Sequence, residues 1–322
     1  MVNRMQAGVK IGGFVVGLAA MFGVAFAVGS AAAPPDSKTA APKPTVTPTS
    51  DGMAGHGETE PAGEAEAEGE GHGDDGHGGA AEAATYVSGL AATEAGFTLV
   101  PAQTTLTRGP AVPFTFTVTG PTGKPVTEYT KSHEKDLHLI VVRRDLSGFQ
   151  HVHPTRAADG SWSVDLDLRT AGSWRVFADF KPTATGETTT LGTDVTVAGD
   201  FRPVPLPAVT PKSTLEGYDV SIAGHAVAGE ESTLTFTLAK NGKQLADLQP
   251  YLGAFGHLVS LRASDLAYLH THPAEEAHAG DTGGPAIEFA TTFPTPGTYR
   301  LFLDFQHAGQ VHTAEFTVEV TK

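Results

Sequence analysis

The side chains able to do chemistry in this 322-residue sequence are its 14 histidines, and it has no cysteine. Six histidines fall into a repeated pattern. Residues 138–154 read HLIVVRRDLSGFQHVHP and residues 257–273 read HLVSLRASDLAYLHTHP, which align at an offset of 119. His138, His151 and His153 thereby match His257, His270 and His272, and each pattern ends in proline. A neutral imidazole offers one lone pair to a metal. Three of them with an open or carboxylate-filled fourth position suit Zn²⁺ or Cu²⁺. Without a thiolate there is no disulfide, Cys-type zinc finger, iron–sulfur cluster or blue-copper site. Metal chemistry is left to imidazole and carboxylate.

Convergence of the three imidazoles depends on the strands beneath them. Residues 138–154 predict a hairpin turning near Arg144–Gly148. Side chains two apart on a strand share a face, about 7 Å apart at the backbone, so His151 and His153 stand side by side. A turn centred on Asp145–Leu146 places His138 across from His153, and the second copy repeats this register with His257 and His272. A one-residue slip would break the convergence. Asp179 and Asp304, at matching places in FADF and FLDF, are candidates to ligate the metal or to fix an imidazole tautomer. Glu134 and Asp136 share the alternating face of His138 but lack carboxylate counterparts, and His133 aligns with Leu252. His278, His307 and His312 occur only in the second copy, and His225 reads as a structural or surface histidine on an isolated strand. The competing reading makes His-x-His-Pro a sheet-edge motif, with imidazoles bonded to backbone and proline ending the strand. Arg143 and Arg262, each followed by an acid, read as solvated strand-end ion pairs.

The duplication extends beyond the histidines. FTFTVTGPTGK (114–124) resembles LTFTLAKNGK (234–243), and AGSWRVFADF (171–180) resembles PGTYRLFLDF (296–305). Phe114, Phe116 and Val118 alternate with threonines, as do Leu234, Phe236 and Leu238 with polar or small residues, the period of a strand with one half-buried face. Trp162 to Leu168 and Trp174 to Phe177 alternate again. About seven short strands per copy predict an all-β fold: two tandem immunoglobulin-like or cupredoxin-like β-sandwich domains, over 85–200 and 214–322, joined by a proline-rich linker at 201–213.

Ahead of them, residues 11–29 are apolar or glycine and follow Arg4 and Lys10. At about 1.5 Å per residue they span most of a ~30 Å hydrocarbon core. Residues 1–33 therefore read as a transmembrane anchor or, since small residues follow at 30–33, as a cleaved signal peptide. Both place the domains outside the cytoplasm, tethered to the membrane or secreted. Residues 34–84 read as a disordered His- and acid-rich linker, with 11 acids, two lysines and His56, His72 and His77. That linker is a solvated spacer or a weak metal-collecting tether. It supplies −9 of the net charge of −15, so the β-domains are only mildly acidic. No basic patch supports nucleic-acid binding.

The pattern HEKDLHLIVVRRDLSGFQHVHP with DGSWSVDLDLRTAGSWRVFADF resembles a group of uncharacterised actinobacterial secreted or membrane-anchored proteins. More loosely, the domains are similar to periplasmic copper-handling and YtkA-like β-sandwiches. That resemblance implies an extracytoplasmic β-sandwich protein without an assigned enzymatic activity. With Met53 the only methionine past the apolar run, a methionine-rich Cu(I) site is disfavoured and His-based Cu(II) or Zn(II) sites are favoured. No phosphate loop, nucleophile elbow or HExxH motif is present, so no enzyme is expected. The expected function is a membrane-tethered protein that buffers or delivers Cu or Zn, with the metal ions, the membrane and a membrane metal transporter as the expected partners. The alternative is a non-catalytic cell-surface interaction module whose HxHP motifs are structural.

Overall fold

A computed structural model describes residues 87–322. The anchor expected at 1–33 and the linker expected at 34–84 lie outside the described residues, as do the side chains of His270 and His272. The described residues belong to one compact unit and contain strands but no helix.

In the first repeat, β1 (Thr93–Glu94), β2 (Phe97–Pro101), β4 (Val112–Thr119), β8 (Ser161–Leu166) and β7 (Thr155–Arg156) form one sheet in the order β1-β2-β4-β8-β7. Its partner sheet runs β3-β10-β9-β5-β6, from β3 (Thr105–Leu106), β10 (Thr189–Val197), β9 (Gly172–Phe180), β5 (Leu137–Arg143) and β6 (Gln150–Val152). The second repeat places β11 (Lys212–Leu215), β12 (Tyr218–Ala223), β13 (Glu231–Lys240), β18 (Ala286–Thr292) and β17 (His272–Pro273) in one sheet, with β14 (Lys243–Gln244) added to β13. Facing it is β16-β15-β19-β20, from β16 (Tyr268–His270), β15 (Gly256–Arg262), β19 (Gly297–His307) and β20 (Gln310–Val320). Each repeat is thus a two-sheet sandwich, as its alternating pattern predicts, antiparallel among its named strands except where β3 pairs parallel with β10. β4 shows why: Val112, Phe114, Phe116 and Val118 are buried while Pro113 and Thr115 face water.

Three apolar cores result. One fills each sandwich, around Trp174 and Phe116 in the first and Phe236 and Phe305 in the second. The third joins the repeats and was not legible in the alternation. All seven residues of β5 are buried, and eight of nine in β9. Leu137, Leu139 and Val141 enter the first sandwich, while Ile140, Val142 and Phe177 pack with Val259, Leu261 and Phe302 of the second repeat. The expected half-solvated face at Trp174–Phe177 is therefore corrected: the far face of the sheet is covered by the other repeat. Phe149 stacks on Phe302 with ring centres 4.0 Å apart. The equivalent pair, Tyr268 and Phe177, lies at 5.6 Å, so the two repeats meet about a pseudo-twofold axis. Gly89 threads this junction with φ +75°, and a Cβ there would lie 2.8 Å from the Phe177 ring and 2.9 Å from Tyr268.

Two smaller expectations also change. Arg143 is not a solvated pair: its side chain is buried, bonded to both Asp145 oxygens and to the carbonyls of Ala171 and Arg202. Asp145 also accepts from the Val204 backbone, which fastens the proline-rich segment to the first repeat. Burial alone would raise the Asp145 carboxyl, but Arg143, Ser147 and Val204 outweigh it and hold it at about 2. His225 lies past the end of β12, exposed, and not on a strand.

Candidate metal centre

The hairpin register is the one that the turn predicts. Leu139 pairs with Val152, Ile140 with His151 and Val141 with Gln150, so one residue further His138 stands opposite His153. The second repeat pairs Val259 with His270 in the same register. In the adjoining strands His138 pairs with Asp179 and His257 with Asp304. On the first hairpin the histidines share one face, and from it His151 reaches Asp304 of the second repeat.

In the first repeat the three imidazoles meet. His138 Nδ1 lies 3.0 Å from His151 Nε2 and 3.1 Å from His153 Nε2. One nitrogen from each of the three can be chosen within 4.8 Å of the other two. Ligands about 2.0–2.1 Å from a tetrahedral ion stand roughly 3.3–3.4 Å apart, so two edges of the triangle need to open by only a few tenths of an ångström.

Two tautomers are set by partners that can only accept. His138 Nε2 is 3.0 Å from the Ser132 carbonyl, so it donates and leaves the Nδ1 lone pair bare. His151 Nδ1 is 2.8 Å from Asp304 Oδ2, so it donates there and turns Nε2 inward. Lone pairs facing each other at 3.0 Å repel unless something positive stands between them, either a proton on His151 or a metal ion. Burial, followed by the neighbouring His151, lowers His138 to about 3 and His153 to about 2, so both are neutral at pH 7. Neutral imidazole is the ligand form.

The clamp on His138 is repeated. The turn before β5 closes with Ser132 and Lys135 bonding to each other, and that before β15 with Tyr251 and Ala254. Both central residues of each turn have positive φ: His133 (46°) and Glu134 (64°) in one, Leu252 (55°) and Gly253 (81°) in the other. The first carbonyl of each turn accepts from the histidine that follows, His257 Nε2 reaching Tyr251 O at 2.7 Å. His257 is lowered to about 4, chiefly by burial.

The carboxylates cross the interface. Asp304 serves His151 of the first repeat, and its second oxygen accepts from Thr313 at 2.6 Å. Asp179 accepts from Thr190 at 3.0 Å and from Tyr268 of the second repeat at 3.3 Å. Burial and the Asp179 charge raise the Tyr268 phenol well above its ordinary value. His133, which has no histidine counterpart in the second copy, also belongs to the centre, its ring 5.1 Å from that of His257 and 6.1 Å from that of His138. The alignment with Leu252 gave no signal for it; its place in the centre comes from the turn that the structure closes between Ser132 and Lys135. The remaining candidates lie elsewhere. Glu134 and His278 are exposed, and Asp136 lies 3.9 Å from Arg156. His307 bonds to Tyr218 and His312 pairs with Glu216.

A family model described as "Domain of unknown function (DUF8832)" matches residues 92–199 and again 213–322. No curated protein matches the chain. Among solved structures, the chain is similar to the Escherichia coli adhesin FdeC, at 18% identity and a TM-score of 0.23 over 74% of this chain and 67% of that one. It is also similar to the D0-D1 domain of intimin, at 14% identity and a TM-score of 0.21 over 70% and 97% of the two chains. A third likeness is to domains 4 and 5 of the S-layer protein SbsC, at 13% identity and a TM-score of 0.21 over 72% and 100%. No function is carried over from these structures.

Proposed function

The chain belongs to the DUF8832 family, whose domain it carries twice, and from that premise we propose that it is a non-catalytic, extracytoplasmic metal-binding protein that buffers or delivers Zn²⁺ or Cu²⁺. The observation that carries this reading is the inward-facing set of nitrogens on His138, His151 and His153, two of them fixed in tautomer by acceptors behind them. Such a carboxylate–histidine–metal arrangement orients the ring and raises its basicity. The matching register and backbone clamp at His257 support a second site with His270 and His272. The apolar run and the His- and acid-rich stretch ahead of residue 85 support a membrane tether that also collects metal weakly, with a membrane transporter as the partner.

Calorimetric titration of the full chain with Zn²⁺ and with Cu²⁺ tests the proposal. Binding at micromolar affinity or better is expected. Replacing His151, His153, His270 and His272 together by alanine removes it and leaves only weak binding by the tether. Absence of such binding in the unaltered chain for both metals would refute the reading.

The second reading is a structural module. With a proton on His151 in place of the ion, that ring donates to both Asp304 and His138 and joins the two repeats beside the Phe149–Phe302 stack. It predicts a chain whose stability does not respond to either metal.

A further inference from the structure

The two repeats do not present their histidines to opposite sides of the molecule. The pseudo-twofold axis that pairs Phe149 with Phe302 and Tyr268 with Phe177 also brings the histidine-bearing ends of β5 and β15 together. The His151 ring lies 6.4 Å from that of His257, and the His133 ring 5.1 Å from it, although the two members of each pair belong to different repeats. Resting on the metal-binding reading above, we infer that the two three-histidine sets are halves of one paired metal centre, each ion held by the imidazoles of one repeat and backed by the carboxylate of the other.

The carboxylate exchange is seen directly on one side. Asp304 sits on β19 of the second repeat, yet its Oδ2 lies 2.8 Å from His151 Nδ1 of the first. Its equivalent, Asp179 on β9, reaches across in the opposite sense to the Tyr268 hydroxyl. Backbone register gives His270 the same place relative to β15 that His151 has relative to β5.

Where His138 and His151 approach His257 there is a cavity of about 30 Å³, lined by these three with His133 and Asp179, and with Thr271 at its wall. A water needs about 10–15 Å³ and two or more polar partners, so this space suits one or two solvent molecules shared between the sites. Thr271 is 6% exposed, and its Oγ1 is buried without a hydrogen-bond partner among the described residues. A buried hydroxyl is costly to leave unpaired, and a solvent ligand in the cavity supplies what it lacks. The pair is not symmetric. His133 has Leu252 as its counterpart, and its ring lies nearer to His257 than to His138, so the extra imidazole stands closer to the second set. Two ions bound there differ in affinity.

Electron paramagnetic resonance of the full chain with Cu²⁺ tests this. The background variant has His56, His72 and His77 replaced by alanine, so that the tether adds no signal. At two equivalents of Cu²⁺ the spectrum is expected to be dipolar-broadened with a half-field transition. His257→Gln should lose one of the two tight sites and return the spectrum to that of an isolated ion. Isolated-ion signals at full loading of the background chain would overturn the inference, as would saturation at one ion that His257→Gln leaves unchanged. The coupling is measured without the His257 substitution, so the outcome stands even if that variant fails to fold. Tight but uncoupled binding refutes only the pairing, whereas no tight binding at all refutes the metal-binding reading beneath it.

Discussion

Asp304→Asn isolates the contact that ties metal affinity to the packing of the two repeats. Asn is isosteric with Asp, so the packing around a residue that is 3% exposed is retained, and with the amide oxygen turned to His151 the amide nitrogen donates to Thr313 Oγ1, reversing that bond. What changes is the acceptor 2.8 Å from His151 Nδ1, which loses its charge. Hydrogen bonds to charged groups contribute about 1.5–3 kcal/mol against about 0.5–1.5 for neutral ones. The difference is roughly 1–2 kcal/mol, which is about a 5- to 30-fold loss of affinity at 1.4 kcal/mol per factor of ten. That overlaps the lower part of the roughly 10- to 100-fold cost usual for removing an outer-shell partner of a ligating histidine. Competition with a chromophoric chelator for Zn²⁺ at pH 7 gives the affinity, and urea unfolding of the metal-free chain gives the stability. The expected result is weakened metal binding with Asp304→Glu recovering part of it. Affinity unchanged within a factor of two would show that the carboxylate does not position His151 for a metal, and the crossing contact would then be structural only.

Other perturbations test the neighbouring features. His138 and His257 have folded-state values of about 3 and about 4, below the ordinary 6.5, so the unfolded chain binds more protons between those limits. Stability of the metal-free chain should therefore be full above about pH 6.5 and fall as pH drops, by up to about 1.4 kcal/mol per pH unit for each histidine; a flat urea midpoint from pH 7 to pH 4.5 would contradict this. Phe302→Ala removes a fully buried ring stacked on Phe149 and should cost about 3–5 kcal/mol in equilibrium unfolding, whereas a cost under 1 kcal/mol would mean that the repeats do not share a core. Glu134→Gly relieves a side chain held at φ 64° and should raise stability by about 1 kcal/mol, read as a higher urea midpoint with an unchanged slope. A lower midpoint would show that the Glu134 side chain itself stabilises the turn.

Much of each repeat was legible in the amino-acid sequence. Threonine alternation with Phe114, Phe116 and Val118 placed β4 and its buried face, because strand side chains alternate with period two. The hairpin register around Asp145–Leu146 followed from turn position, and with it the meeting of His138 and His153. The matching of Asp179 with Asp304 followed from the duplication. The strand pattern and the hairpin register are properties of neighbouring residues within one repeat.

What stands on the other face of β5 and β9 was decided only in three dimensions. His151 and Asp304 are 153 positions apart, and no period or spacing says that a carboxylate of one repeat will serve an imidazole of the other. Nor did Arg143 declare its burial, since a charged strand end ordinarily stays in water unless its partners come with it, here Asp145 and the carbonyls of Ala171 and Arg202. The physical reason is shared. Sequence patterning reports which side chains avoid water, but a sheet with two apolar faces does not say what covers the second one. Here the covering surface is the chain's own duplicate, and the pseudo-twofold packing turns two separate histidine motifs into neighbours.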